Sequence, residues 1–196
     1  MTATPMAPNP TAPALDLTVE HTLDAATTDM FYGLYAAAFG PLQTRAAARH
    51  ILTAAEFAEE MTDTRIEKYV VRDATGLPVA LTTLATDLAA LPWISPEFYL
   101  ARYPEYADRG ALFYLGYTLV HPSRAGQGVF LLMVNRLAER FLEAGAVCMW
   151  DSCEYNDARA IGQFAASLVA DHDARIDRLD SQTYYAVAFD VARRPS

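Results

Sequence analysis

At 196 residues, with 53% hydrophobic and 11% aromatic content, the chain suits one packed domain with a sizeable core. Its formal net charge of −9 argues against a nucleic-acid binder, whose surface is normally basic, and is compatible with a cationic small substrate. No apolar run reaches the ~18 residues of a membrane span. The N-terminus lacks the charged-then-apolar layout of a secretory signal, and a cytoplasmic location is the default expectation. The two cysteines, Cys148 and Cys153, fall in one predicted strand on opposite faces, so no disulfide between them is expected. No Cys/His cluster has metal-ligand spacing, and no metal is expected.

Residues 1–13 are rich in Pro, Ala and Thr and read as a disordered tail. A single domain is expected over 14–196. Leu15, Leu17 and Val19 alternate with polar neighbours, as in a first strand. Thr27, Thr28 and Asp29 offer a helix cap. Met30, Phe31, Leu34, Tyr35 and Ala38 then recur at helical spacing, and Gly40-Pro41 stops that helix. A second, Ala-rich helix is predicted from Arg45 to Met61. Ile66–Asp73 and Pro78–Asp87 flank a short glycine loop and read as a hairpin.

Residues 88–110 are long for a connection between strands and carry Trp93, Phe98, Tyr99, Tyr103 and Tyr106, punctuated by prolines. Ser95-Pro96-Glu97 is a good helix start, and we expect an inserted helix or two packed against the sheet. Trp93 and Tyr99 are either anchors of this insertion or part of a pocket wall.

Leu112–Val120 is an apolar, aromatic run of strand length. A polar, Gly-bearing turn follows, His121–Gly128. Val129, Met133, Leu137 and Phe141 then lie at helical spacing, and Gly145 sits where a helix takes a left-handed C-cap. A glycine turn before a helix exposes the first backbone N–H groups at the positive end of the dipole, a corner that suits a phosphate or pyrophosphate. The turn is neither a Walker loop nor a Gly-x-Gly-x-x-Gly fingerprint. Ala146–Cys153 reads as a fifth strand. Asn156-Asp157 can cap a helix over 158–170, and Gln182–Val191 reads as a closing strand.

Val120-His121-Pro122-Ser123-Arg124-Ala125-Gly126-Gln127-Gly128-Val129 resembles the acyl-CoA signature of the GNAT (Gcn5-related N-acetyltransferase) superfamily, in which a fourth strand ending in Val-x-Pro runs into a glycine turn. The order of elements fits that family from about Leu15 to Asp190. The resemblance implies an α/β fold: a single GNAT-like domain with a mixed, mostly antiparallel sheet flanked by helices, and here a helical insertion before the fourth strand. It implies an N-acyltransferase moving an acyl group directly from acetyl-CoA or another acyl-CoA to a small amine. Neither nucleic acid nor a membrane is an expected partner. Family members often dimerise, so a homodimer is compatible with it.

By the same resemblance, pantetheine lies along Leu119 and Val120, with the Val120 N–H facing the oxyanion. The pyrophosphate lies against Arg124, Ala125, Gly126, Gln127, Gly128, Val129 and Phe130. Asn156 and Asp157 fall where the family often has an Asn. Ala125 and Phe130 depart from the pattern, which prefers Arg or Gln and Gly or Ala there. Phe164 falls where the family often has a general-acid Tyr. Tyr114 falls where it often has a basic carboxylate. Asp151, Glu154 and Tyr155 lie at the exit of the fifth strand and are candidate substitutes, with Tyr114, for acid and base. Tyr117 is a candidate acceptor contact on the other lip. Two alternatives stay open: a GNAT-like protein that binds acyl-CoA without transfer, and a transferase whose donor is an acyl-carrier protein.

Overall fold

The computed structural model describes residues 14–47, 51–157 and 174–188. Its centre is a five-stranded sheet of β1 (Leu15–Glu20), β2 (Ile66–Asp73), β3 (Pro78–Ala85), β4 (Leu112–Val120) and β5 (Val147–Met149), ordered as in the sequence. The first three pairings are antiparallel; β4 and β5 run parallel. This is the mixed, mostly antiparallel sheet expected. No helix among the described residues is long and apolar enough to cross a membrane.

Local chemistry sets where the helices begin. Helix α1 (Ala25–Phe39) starts earlier than the threonines suggested, because the Asp24 carboxylate accepts the Thr27 N–H at 2.9 Å. Helix α2 (Ala54–Thr62) starts later than predicted. Thr53 and Glu56 form a capping box, each side chain accepting the other's backbone N–H, and such a cap contributes about 1 kcal/mol. Gly40–Thr44 between them is a short 3-10 turn. Asp87, predicted within β3, instead caps a 3-10 turn at Leu88–Ala90.

One face of the sheet carries α5 (Val129–Ala144), whose Val129, Met133 and Leu137 pack on Tyr69, Val71, Val79, Ala80, Leu84 and Phe113. The other face carries α1 and α2, through Phe31, Tyr35, Phe57 and Met61 packed on Val70, Leu81, Tyr117 and Leu119. The segment between β3 and β4 extends this second layer. Its Leu88 and Leu91 are buried against Ile66, Ala85, Leu112, Tyr114 and Met149, and short helices α3 (Pro96–Arg102) and α4 (Pro104–Ala107) pack outside them.

The closing strand does not form over its described residues. Residues 182–188 have no regular structure, and Tyr185 is 92% and Val187 78% exposed. Alternation suits a residue to a pleated surface, but only pairing with a sheet edge makes a strand, and these residues pair with none. Residues 189–191, like the N-terminal tail and the 158–170 helix, lie outside the described residues.

Candidate functional site

Strand β4 changes the face it shows half-way along. Leu84 pairs with Leu115 and Thr82 with Thr118, so Thr83 alone opposes both Gly116 and Tyr117. Two residues against one is a β-bulge, and it shifts the period of two by one residue. Leu112 and Tyr114 before it, and Tyr117 and Leu119 after it, therefore all face the α1–α2 layer. Gly116 is there for space: a Cβ would stand 2.3 Å from the Thr83 hydroxyl. Gly116→Ala should cost about 1–3 kcal/mol in urea denaturation. Adding Thr83→Ala should recover most of that, because the next atom met is the Thr83 Cβ at 3.6 Å. Additive losses in the double variant would rule the clash out.

Beyond the bulge the sheet opens. β4 pairs with β5 only over Leu112–Tyr114. From Leu115 onward no described strand pairs with that edge of β4. The predicted fifth strand is thus shorter than Ala146–Cys153, ending at Met149. The His121 N–H donates to the Val79 carbonyl at 2.8 Å. Strand N–H groups alternate in direction, so that of Val120 points to the open edge. Above it runs a groove of about 350 Å³ between Leu34, Ala37 and Ala38 of α1 and Thr118, Leu119, Val120 and Pro122.

The groove ends at the turn before α5. Gly126 and Gly128 have φ of 73° and 79°, left-handed angles that favour glycine, with open space where a Cβ would stand. No side chain caps α5, and its ladder begins with the Leu132 N–H donating to the Gly128 carbonyl at 2.9 Å. The N–H groups of 129–131 precede that ladder. Ala125, Gly126, Gln127 and Gly128 are exposed, Val129 is buried, and Phe130 is 37% exposed beside the turn. Arg124 is held by Asp73, and more loosely by Gln127 at 3.4 Å. Hydrogen bonds from Thr75 and this pairing pull Asp73 down to about 2.

The fold compares with several solved acetyltransferases. A GNAT-family acetyltransferase from Listeria monocytogenes superposes with a TM-score of 0.52 at 11% identity, over 78% of this chain and 84% of that one. An aminoglycoside N-acetyltransferase in complex with CoA gives 0.50 at 11% identity, over 91% and 98%. An aminoglycoside acetyltransferase from an uncultured soil metagenomic sample, in complex with sisomicin, gives 0.50 at 12%, over 89% and 97%. The chain has the GNAT fold. No family model matches the sequence, and no curated protein matches it.

Against the GNAT frame, Tyr114 and Asp151 meet across the opening of the sheet. The buried Tyr114 hydroxyl donates to the exposed Asp151 carboxylate at 2.7 Å. Tyr155 is reached from the opposite side by Arg45, which donates to its hydroxyl at 2.7 Å and lies over its ring. The end of the α1 layer is thereby tied to α6 (Glu154–Asp157). Glu154 is exposed, and Asn156 and Asp157 lie within α6, their N–H groups donating to the Cys153 carbonyl; the helix they were expected to cap lies outside the described residues. Phe164 lies outside the described residues. Both cysteines are free thiols, and burial pushes Cys148 up to about 12, which disarms it as a nucleophile.

The insertion sorts its aromatics. Tyr99 packs edge-on against Tyr114, with ring centres 6.2 Å apart, and serves as an anchor. Trp93, 42% exposed, lines a cavity of about 320 Å³ together with Leu52, Glu56, Glu59, Glu60 and Asp63. Sequence reasoning missed this cavity and the Glu60 carboxylate on its wall. Burial raises Glu60 to about 7, against the pull of the Thr83 and Tyr117 hydroxyls and of Lys68. Thr83 and Tyr117 are 1% and 7% exposed, and their hydroxyls lie near enough to Glu60 to favour its charge. Lys68 is fully buried and donates to the His21 and Asp63 carbonyls at 2.9 and 2.7 Å; burial lowers it to about 8. The only available sign was a lysine inside a strand of apolar residues.

Proposed function

We propose that the protein is an acyl-CoA-dependent N-acyltransferase that acts on a small amine. The observation that carries this reading is the parting of β4 from β5 beside a groove that ends at the uncapped start of α5. The donor's pyrophosphate fits the N–H groups of 129–131 and the glycine turn. Its pantetheine fits the α1-lined groove along Leu119 and Val120. Bound there, the donor supplies an activated acyl carbonyl. The Val120 N–H is the donor for charge developing on its oxygen. Tyr114, held by Asp151, and Tyr155, held by Arg45, flank the opening as proton-transfer candidates.

Calorimetric titration with acetyl-CoA tests the donor site, and micromolar binding is expected. No binding up to millimolar acetyl-CoA overturns the reading. Phe130→Ala removes bulk beside the pyrophosphate site and should tighten acetyl-CoA about tenfold, or about 1.4 kcal/mol. Release of CoA thiol across a panel of amines tests the transfer itself.

One observation favours a second donor. Arg124, the cation nearest the turn, is already engaged by Asp73 and Gln127. A phosphopantetheine arm on a carrier protein needs the groove but no pyrophosphate cradle. Activity with an acyl-carrier protein and none with the matching acyl-CoA would select it.

A further inference from the structure

We propose that Asp73 is a specificity-determining residue of the donor site: its carboxylate cancels the charge of Arg124, so that the turn before α5 holds a donor by backbone N–H groups and gives little preference to the highly charged nucleotide end of an acyl-CoA. The inference rests on the transferase reading above and adds to it how the site weighs one acyl donor against another.

Asp73 is the last residue of β2, where the hairpin loop leads into β3. This end of the hairpin abuts the start of α5, because Val71 and Val79 pack on Val129. The two carboxylate oxygens of Asp73 have separate duties. Oδ1 accepts the Thr75 N–H at 2.9 Å, the Thr75 hydroxyl at 2.6 Å and the Leu77 N–H at 3.2 Å, which closes the hairpin loop. Oδ2 accepts from Arg124. An asparagine has the same Oδ1 and suits such loops equally well. The loop therefore needs an acceptor oxygen but no charge. The charge of Asp73 serves Arg124.

Arg124 ends the 3-10 turn Pro122–Arg124 and leads into the glycine turn. Its guanidinium also reaches the Gln127 side-chain oxygen at 3.4 Å, and the Gln127 amide donates to the Ser123 carbonyl at 2.9 Å. The Arg124 side chain thus lies along the turn, directed at the protein. The Arg124 and Asp73 side chains are 25% and 6% exposed. Salt screens a pair so placed much less than a surface pair, so the pairing persists at physiological ionic strength. A diphosphate at the turn meets a cation and an anion side by side, and their fields largely cancel. The N–H groups of 129–131 and the α5 dipole are left to hold a phosphate. The further negative charges of a nucleotide gain little there.

Calorimetry on the full chain, with acetyl-CoA and acetyl-pantetheine titrated separately, tests the assignment. Acetyl-pantetheine has the same thioester arm and no phosphate. Asp73→Asn keeps the Oδ1 bonds and releases Arg124. It should tighten acetyl-CoA about tenfold and leave acetyl-pantetheine within about twofold of the parent value. Adding Arg124→Gln should remove the gain. Raising NaCl from about 0.05 to about 0.5 M should erase most of the gain, yet weaken acetyl-CoA binding to the parent protein by less than about threefold. Equal acetyl-CoA affinity in the parent and Asp73→Asn proteins overturns the proposal, as does an equal gain for acetyl-pantetheine or a gain that survives Arg124→Gln. So does a larger loss on adding salt to the parent, a result that needs no variant. Acetyl-CoA that binds neither protein up to millimolar overturns the transferase reading and this proposal with it. Binding that the change of charge does not move overturns this proposal alone.

Discussion

Replacing Glu60 with Gln is expected to remove a pH dependence from the stability of the fold. The groups that face the carboxylate are Lys68 of β2, Asp63 at the end of α2, Thr83 of β3 and Tyr117 of β4, with Glu56, Glu59 and Arg65 around the same cavity. Lys68 favours the charged form, so Lys68→Met should push the titration of Glu60 further up.

The folded Glu60 holds its proton up to about 7, whereas the unfolded one releases it at its ordinary value of 4.5. Between those values the folded state binds more protons, so this group's contribution is full below 4.5 and is lost as pH rises through 7. At pH 8 Glu60→Gln should therefore raise stability, on the order of 2 kcal/mol after allowance for partial exposure. Urea denaturation at pH 5 and pH 8 reads the difference. Equal pH dependence of stability in the two proteins would mean that Glu60 titrates at its ordinary value in the folded state.

Phe57→Ala should be the most damaging single truncation to the fold, at about 3–5 kcal/mol. Phe57 is fully buried and its ring lies 5.3 Å from that of Tyr35, 5.6 Å from Tyr32 and 5.9 Å from Tyr117. It sits one helical turn before Glu60 and Met61, so it fixes how α2 seats on the sheet. The loss has two parts, the burial of a large ring and the void left among three rigid tyrosines that cannot collapse into it. Phe57→Leu should cost far less. A midpoint shift worth under about 1 kcal/mol for the alanine variant would mean that the aromatic layer repacks.

The frame of this site was legible in the sequence where one local pattern decides a structure. The run Leu112–Val120 and the spacing from Val129 to Ala144 gave β4 and α5 their observed bounds, because both elements bury a face at full length. The glycine turn between them was legible for the same reason: left-handed angles leave a compositional trace. Helix starts were read less well, since Asp24 and Thr53 compete with several equally good capping residues nearby. Gly116 was a readable hint of the bulge that passed unused. Glu60 was not readable. In an Ala-rich helix among Glu56 and Glu59 it looks like a solvated charge, and only its approach to Thr83 and Tyr117, far away along the chain, makes it different. The length of β5 was also hidden, because the residues that end it are those the sheet leaves without a partner.

The insertion is fastened at Leu88 and Leu91 on one side and at Ala111 on the other, and no residue from 92 to 110 is buried. Ile94, Tyr99, Tyr103 and Tyr106 pack on the core only as half-buried side chains, so the insertion opens locally at a lower cost than the sheet. Trp93 rides on that unit and Glu60 does not. The molecule therefore has two levels of stability, and substitutions can accumulate in the outer unit without taxing the sheet beneath it.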